Sequence, residues 1–294
     1  MLPRELVRQI RRLQLRARRA VEDLLGGEYR SVFKGSGIAF EEVREYQVGD
    51  DVRAIDWNVT ARMGHPFVKR YIEERELTLM LVVDVSASLD FSTGARLKRE
   101  GLAEIAALLA FCAIASHDKV GLILVSDGVE KFLPPRKGLR HALRLIRDLL
   151  VFQPERKGSG LKAGLDYLNH VLHRRAIVFL FSDFLDAGYE KVFQRTARRH
   201  DLVAVATSDP REQTLPAAGL LTLEDAETGE QILIDSGDPA VRRAFDDAMA
   251  ARLEALRKLA RSSQVDLIEV ATDREHLDAL TRFFRMRQRR YGRW

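Results

Sequence analysis

The sequence predicts an α/β fold: a doubly wound, mostly parallel sheet with helices on both faces, an edge hairpin and an added N-terminal helix. Three observations carry this. Runs such as Leu77–Val83 and Ile177–Phe181 are apolar throughout, as strands buried on both faces must be. Helical segments alternate with those runs, the pattern of strand–helix–strand units. The 294 residues, 46% apolar and 31% charged, supply a sizeable core and exclude a disordered, collagen-like or disulfide-built chain.

Residues 3–25 read as an amphipathic helix. Pro3 suits a first helical position, Leu6, Ile10, Leu13, Ala17, Val21 and Leu24 form an apolar stripe, and Gly26-Gly27 ends it. Residues 28–76 follow, dense in glycine, charge and aromatics, with no long periodicity. There Gly49-Asp50-Asp51 signals a turn. Arg44, Arg53 and Arg62 stand near Asp50, Asp51 and Asp56, so bidentate ion pairs would hold a segment poor in regular structure, with Trp57 as its apolar anchor. A two-metal carboxylate site is the weaker reading, because as many arginines neutralise those acids.

From residue 77 the alternation begins. The strand Leu77–Val83 leads to a helix near Arg96–Ser116, the strand Val120–Val125 and a short strand near Lys131–Leu133. Helices near Leu139–Phe152 and Leu161–His173 precede the strand Ile177–Phe181. A helix near Tyr189–Arg199 precedes the strand Leu202–Ala206. Leu220–Leu223 and Gln231–Ile234, separated by Glu224–Glu230, read as a hairpin at one sheet edge. A helix from Pro239 to Arg261, a strand Val265–Val270 and a helix from about Arg274 close the chain. The organisation is thus 1–27, a basic helix; 28–76, a segment packed on the core; and 77–294, the α/β domain.

The formal charge of +5 conceals an asymmetry. Residues 1–20 and 281–294 each carry a net +6, almost all arginine, which leaves −7 for the 260 residues between. Cys112 is the only cysteine, and it lies within the apolar run Ile105–Ala115, so a buried thiol in a reducing compartment is expected. No run reaches the roughly 18–20 apolar residues that span a bilayer, and no signal peptide is evident. A cytoplasmic protein is expected.

Ligands of doubly wound sheets bind beyond the carboxyl ends of the strands. After the first core strand comes Asp84-Val85-Ser86-Ala87-Ser88, and after the Ile177 strand comes Ser182-Asp183. Oxygen donors of this kind suit Mg²⁺ or Mn²⁺. Ser86 and Ser88 would ligate directly, Asp84 and Asp183 would act through waters, and Ser159 of Gly158-Ser159-Gly160 would add a third hydroxyl. One coordination position would remain for a carboxylate from a partner. The same residues, read structurally, cap the following helix or close a turn and need no metal. Asp127, before Gly128, reads as a turn residue. Catalytic signatures are missing: no phosphate-binding glycine loop, no His-Glu-x-x-His and no nucleophile elbow occurs.

The Asp84, Ser86, Ser88, Ser159 and Asp183 set resembles the metal-ion-dependent adhesion site of von Willebrand factor A domains, with Ser159 where that pattern has Thr. The wider chain resembles the bacterial family called domain of unknown function 58. The resemblance rests on residues 35–62, the Asp84–Ser88 loop, Ser182-Asp183-Phe184-Leu185-Asp186, Asp209-Pro210-Arg211-Glu212, the Glu224–Glu230 turn and Phe283-Phe284-Arg285. It implies a von Willebrand A-like sheet with residues 28–76 as a family-specific segment. It also implies a non-enzymatic adaptor that works with a MoxR-type AAA+ ATPase on the assembly or maturation of client proteins. Two other functions stay open. The arginine-rich ends would bind nucleic acid, with Phe283, Phe284, Tyr291 and Trp294 available to stack on bases. Alternatively Asp84 and Asp183 would serve a divalent-metal hydrolase, for which a paired acid or base is lacking.

Overall fold

A computed structural model describes residues 39–72, 76–94, 96–156 and 158–291. The helix expected over 3–25 lies outside them. The chain divides at Leu77 into two compact units. In the first, β1 (Ala39–Glu45) and β2 (Phe67–Ile72) pair antiparallel, with Glu45 opposite Phe67. Between them lie a 3-10 turn, Val52–Ala54, and α1 (Trp57–Met63). The stretch expected to lack regular structure is therefore a strand pair with a helical insertion.

Its acids act mainly as caps. Arg44 Nη2 does pair with Asp50 Oδ1 at 2.7 Å. Asp51, however, accepts from the Arg53 amide at 2.9 Å, and Asp56 accepts from the Asn58 and Val59 amides at 3.0 and 3.3 Å. An N-cap carboxylate satisfies donors that a helix start leaves orphaned, which explains the choice of Asp at both positions. Trp57 is not the apolar anchor: it begins α1 and stands 69% exposed. Val68, at 4% exposure and bridged to Ile55, is an apolar side chain that this unit does bury.

The second unit is built on six strands. They are β3 (Thr78–Asp84), β4 (Lys119–Val125), β5 (Val129–Arg136), β6 (Ile177–Ser182), β7 (Asp201–Ser208) and, after the hairpin strands β8 (Leu220–Glu224) and β9 (Gln231–Asp235), β10 (Asp266–Ala271). The order is β10-β7-β6-β3-β4-β5, parallel throughout except for β5. One face is covered by α2 (Lys98–Ala115), α3 (Leu139–Val151) and α7 (His276–Tyr291). Met80, Val82, Val178 and Leu180 face the other way, onto α4 (Leu161–Val171), α5 (Glu190–Arg199) and α6 (Pro239–Ser262). Every residue of β6 is buried. Each full burial of a Leu or Phe stabilises by about 1.5–3 kcal/mol, so this double packing accounts for the continuous apolar runs.

The hairpin is not an edge of this sheet. β8 and β9 pair only with each other, while the antiparallel edge strand is β5. Leu220, Ile232 and Leu233 are exposed on the hairpin, so it lacks the buried faces that strands of the central sheet possess.

At the amino ends of the strands, Arg287 of α7 is buried between acids. It bonds Asp201 at the start of β7 at 2.5 and 2.9 Å and Asp266 at the start of β10 at 2.6 Å, and Arg290 joins Asp266 at 3.0 Å. Phe283 and Phe284 are buried against the sheet. Part of the basic C-terminus thus docks on the acidic body, and two of the four aromatics considered for stacking on bases lie in the core.

Candidate functional site

Strand order places a crevice at one point of the carboxyl rim. The chain runs from β3 to β4 on one side, then returns to add β6 on the other side of β3. Helices on opposite faces diverge at such a reversal and leave a gap beyond the strand ends. Asp84 ends β3 there, 1% exposed.

Three loops converge on its carboxylate. Asp84 Oδ1 accepts the Ser86 amide at 2.9 Å, and Oδ2 accepts the hydroxyls of Ser182 at 2.7 Å and Ser159 at 3.2 Å. The Ser86 and Ser88 hydroxyls lie 3.1 Å apart as the chain enters the 3-10 turn Ala87–Asp90. Burial, and then the nearby charge of Asp183, push the Asp84 carboxyl up to about 6.

Local chemistry explains the convergence. Ser159 reaches Asp84 because glycines flank it. A Cβ on Gly158 would meet the Asp127 carboxylate, and one on Gly160 would stand 2.5 Å from the Ser126 carbonyl oxygen. Phe184 adopts φ +55°, uncommon for a side chain of that size, while its amide donates to Ser182 Oγ at 2.9 Å. Asp186 accepts the Leu161 amide at 3.0 Å, tying the Ser182–Asp186 loop to the start of α4. The Asp127 side chain is exposed beside the Ser159 loop.

Asp183 has a different partner from the expected one. Its Oδ2 accepts Lys98 Nζ at 2.9 Å and its Oδ1 the Leu185 amide at 3.2 Å. Lys98 is fully buried and also donates to Glu212 Oε1 at 2.5 Å. Burial opposes its charge, yet the two acids hold its pKa above the usual lysine value, so it remains an ammonium. Glu212 also accepts the Asp209 amide. Asp209 is fully buried and bonds Thr93 and Thr272; these hydrogen bonds outweigh burial and bring it to about 2.

Ser182, Lys98, Glu212 and Glu227 complete the rim, and none was among the candidate ligands. Glu227, from the β8–β9 turn, accepts the Ser159 amide at 3.2 Å. Of the four, Glu212 had a legible local signal, since Asp209-Pro210-Arg211-Glu212 has the spacing of a capping box.

The donors fit a hard divalent cation. Adjacent oxygens around Mg²⁺ at 2.0–2.1 Å lie about 2.9 Å apart, close to the Ser86–Ser88 separation of 3.1 Å. Asp84 can orient such hydroxyls or bound waters. Among the described residues no group of three or more His, Cys, Asp or Glu side chains is disposed to hold a metal. A cation here would therefore rest on hydroxyls, water and few carboxylates.

Fold and rim together define an α/β protein in which serine hydroxyls gather around a buried aspartate beyond the carboxyl ends of the central strands. The family model "Protein of unknown function DUF58" matches residues 42–255, and the chain belongs to that family. An uncharacterized protein of Mycobacterium tuberculosis strain H37Rv is 33% identical over 288 residues, 97% of this chain and 90% of its own length. One from Mycobacterium avium is 29% identical over 162 residues, covering 53% of this chain and 94% of its own length. Among solved structures, the conserved hypothetical protein BatB from Bacteroides thetaiotaomicron overlaps 72% of this chain and 99% of its own, with TM-score 0.49 and 13% identity. The SpRpn10 VWA domain overlaps 69% and 93%, with TM-score 0.42 and 14% identity.

Proposed function

We propose that the protein is a non-enzymatic interaction module whose crevice uses Mg²⁺ or Mn²⁺ to bind an acidic group of a protein partner. The observation that carries this is the gathering of Asp84, Ser86 and Ser88 of one loop with Ser159 of a second and Ser182 of a third at the topological switch of the sheet. Ser86, Ser88 and Ser159 would ligate the ion, Asp84 would hold its waters, and Asp183 would add negative charge from beside Lys98. The bound cation supplies a positive site for a partner carboxylate. The partner in this reading is a MoxR-type AAA+ ATPase, with client proteins that the pair assembles or matures.

The setting in this reading is the cytoplasm. Burial pushes the Cys112 thiol up to about 12 and leaves it unreactive; no helix among the described residues is long and apolar enough to cross a membrane. A hydrolase fits less well: both Asp84 oxygens are engaged by hydroxyl and amide donors, and Asp183 is engaged by Lys98. The test is capture from native lysate with Mg²⁺ or EDTA, using wild type and Asp84→Ala. The reading expects an AAA+ ATPase retained only by wild type with Mg²⁺. Equal retention in all arms would overturn the metal dependence.

A further inference from the structure

We propose that Glu227 is an in-chain ligand of the cation centre, holding the position that a partner's carboxylate would take. The inference rests on the metal-dependent reading above and adds its regulation.

Glu227 belongs to a turn built to present it. The Asp225 carboxylate accepts the amides of Glu227 and Thr228 at 2.8 and 2.9 Å, and Gly229 at φ +74° completes the reversal. Its neighbours Asp225, Ala226, Thr228 and Gly229 are exposed, whereas Glu227 is half-buried. Its carboxylate bonds the Ser159 amide, and the hydroxyl of that same residue touches Asp84 Oδ2. One serine therefore holds both acids, although 68 residues separate it from Glu227.

The charges favour a cation at this place. Ser159 holds Asp84 and Glu227 at its two ends, and Asp183 follows Ser182, whose hydroxyl donates to the same Asp84 carboxylate. Lys98 is committed to Asp183 and Glu212. A divalent ion would relieve the repulsion between Asp84 and Glu227, and Glu227 would become its ligand. An acidic partner must then exchange places with Glu227, so the hairpin guards the site until a partner competes for it.

The test loads the whole 294-residue chain with Mn²⁺ and measures affinity by calorimetry and metal-bound water by proton relaxation. Wild type, Glu227→Gln and Glu230→Gln are compared, each checked for folding by circular dichroism. Glu227→Gln is expected to bind Mn²⁺ roughly tenfold more weakly, through loss of a charged ligand, and to show one additional metal-bound water. Glu230→Gln, on the exposed side of the same turn, should match wild type. If wild type binds Mn²⁺ and Glu227→Gln matches it in affinity and relaxation, the Glu227 proposal fails alone. If wild type binds no Mn²⁺, the metal reading fails and takes this one with it.

Discussion

The two rims of the sheet use charge in opposite ways. At the amino ends, Arg287 and Arg290 face Asp201 and Asp266, and the network closes on itself with equal numbers of each sign. At the carboxyl ends, Lys98 pairs with Asp183 and Glu212, while Asp84 and Glu227 are held by hydrogen bonds from Ser159. Burying unbalanced charge is costly. The amino rim is a clamp that fastens α7 to the sheet. The carboxyl rim carries an acidic excess suited to a cation supplied from outside.

Substitution of the central cation at each rim breaks that comparison most strongly. Arg287→Met should lower the unfolding free energy by about 3–5 kcal/mol, since it strands buried acids, and Mg²⁺ should not alter the loss. Lys98→Met should cost a similar amount in EDTA. Because it also removes a competing positive charge, Mg²⁺ should stabilise it more than it stabilises wild type. Urea unfolding with and without Mg²⁺ reads both, and equal Mg²⁺ effects in the two variants would erase the distinction.

The next effect is a pH dependence. Asp84 titrates at about 6 when folded, above its unfolded value, so the unfolded chain releases that proton first. Its contribution to metal-free stability therefore falls as pH rises from about 4 to 6, by up to about 3 kcal/mol, and is level above that. Asp84→Asn should remove this descent from the stability–pH curve in EDTA. Asp209, held at about 2, acts with the opposite sign and loses its contribution only as pH falls below about 4.

Two smaller effects separate site from scaffold. Gly160→Ala drives a Cβ toward the Ser126 and Asp127 carbonyl oxygens. It should cost about 1–3 kcal/mol and weaken Mg²⁺ binding by displacing Ser159, as melting and calorimetry would show. Thr93→Val removes a 2.6 Å hydrogen bond to Asp209. It should cost about 1–2 kcal/mol and leave Mg²⁺ affinity unchanged.

The core strands were legible because burial on both faces writes itself as an unbroken apolar run, as in β3 and β6. Edges read less well. β5 carries Pro134 and Pro135, which an edge strand tolerates, and was visible only as a short piece. The two apolar stretches of β8 and β9 mark a hairpin, but local pattern says nothing of whether a strand pair joins a larger sheet. β1 was hidden by the charged run Glu41-Glu42-Val43-Arg44-Glu45. Within the site, Asp84, Ser86 and Ser88 follow from the rule that polar residues after strands face the carboxyl rim, and Ser159 from its Gly158-Ser159-Gly160 loop at the start of a helix. Lys98 looked like any solvated helix lysine, and Glu227 returns from far along the chain, so neither left a local pattern.

If Asp84 and its serines hold a divalent cation as proposed, Mg²⁺ binding depends on Asp84. Calorimetric titration of Mg²⁺ into EDTA-stripped wild type and Asp84→Ala tests it most directly. A single site is expected in wild type and none in Asp84→Ala. Absence of binding in wild type, or unchanged binding in the variant, would contradict it.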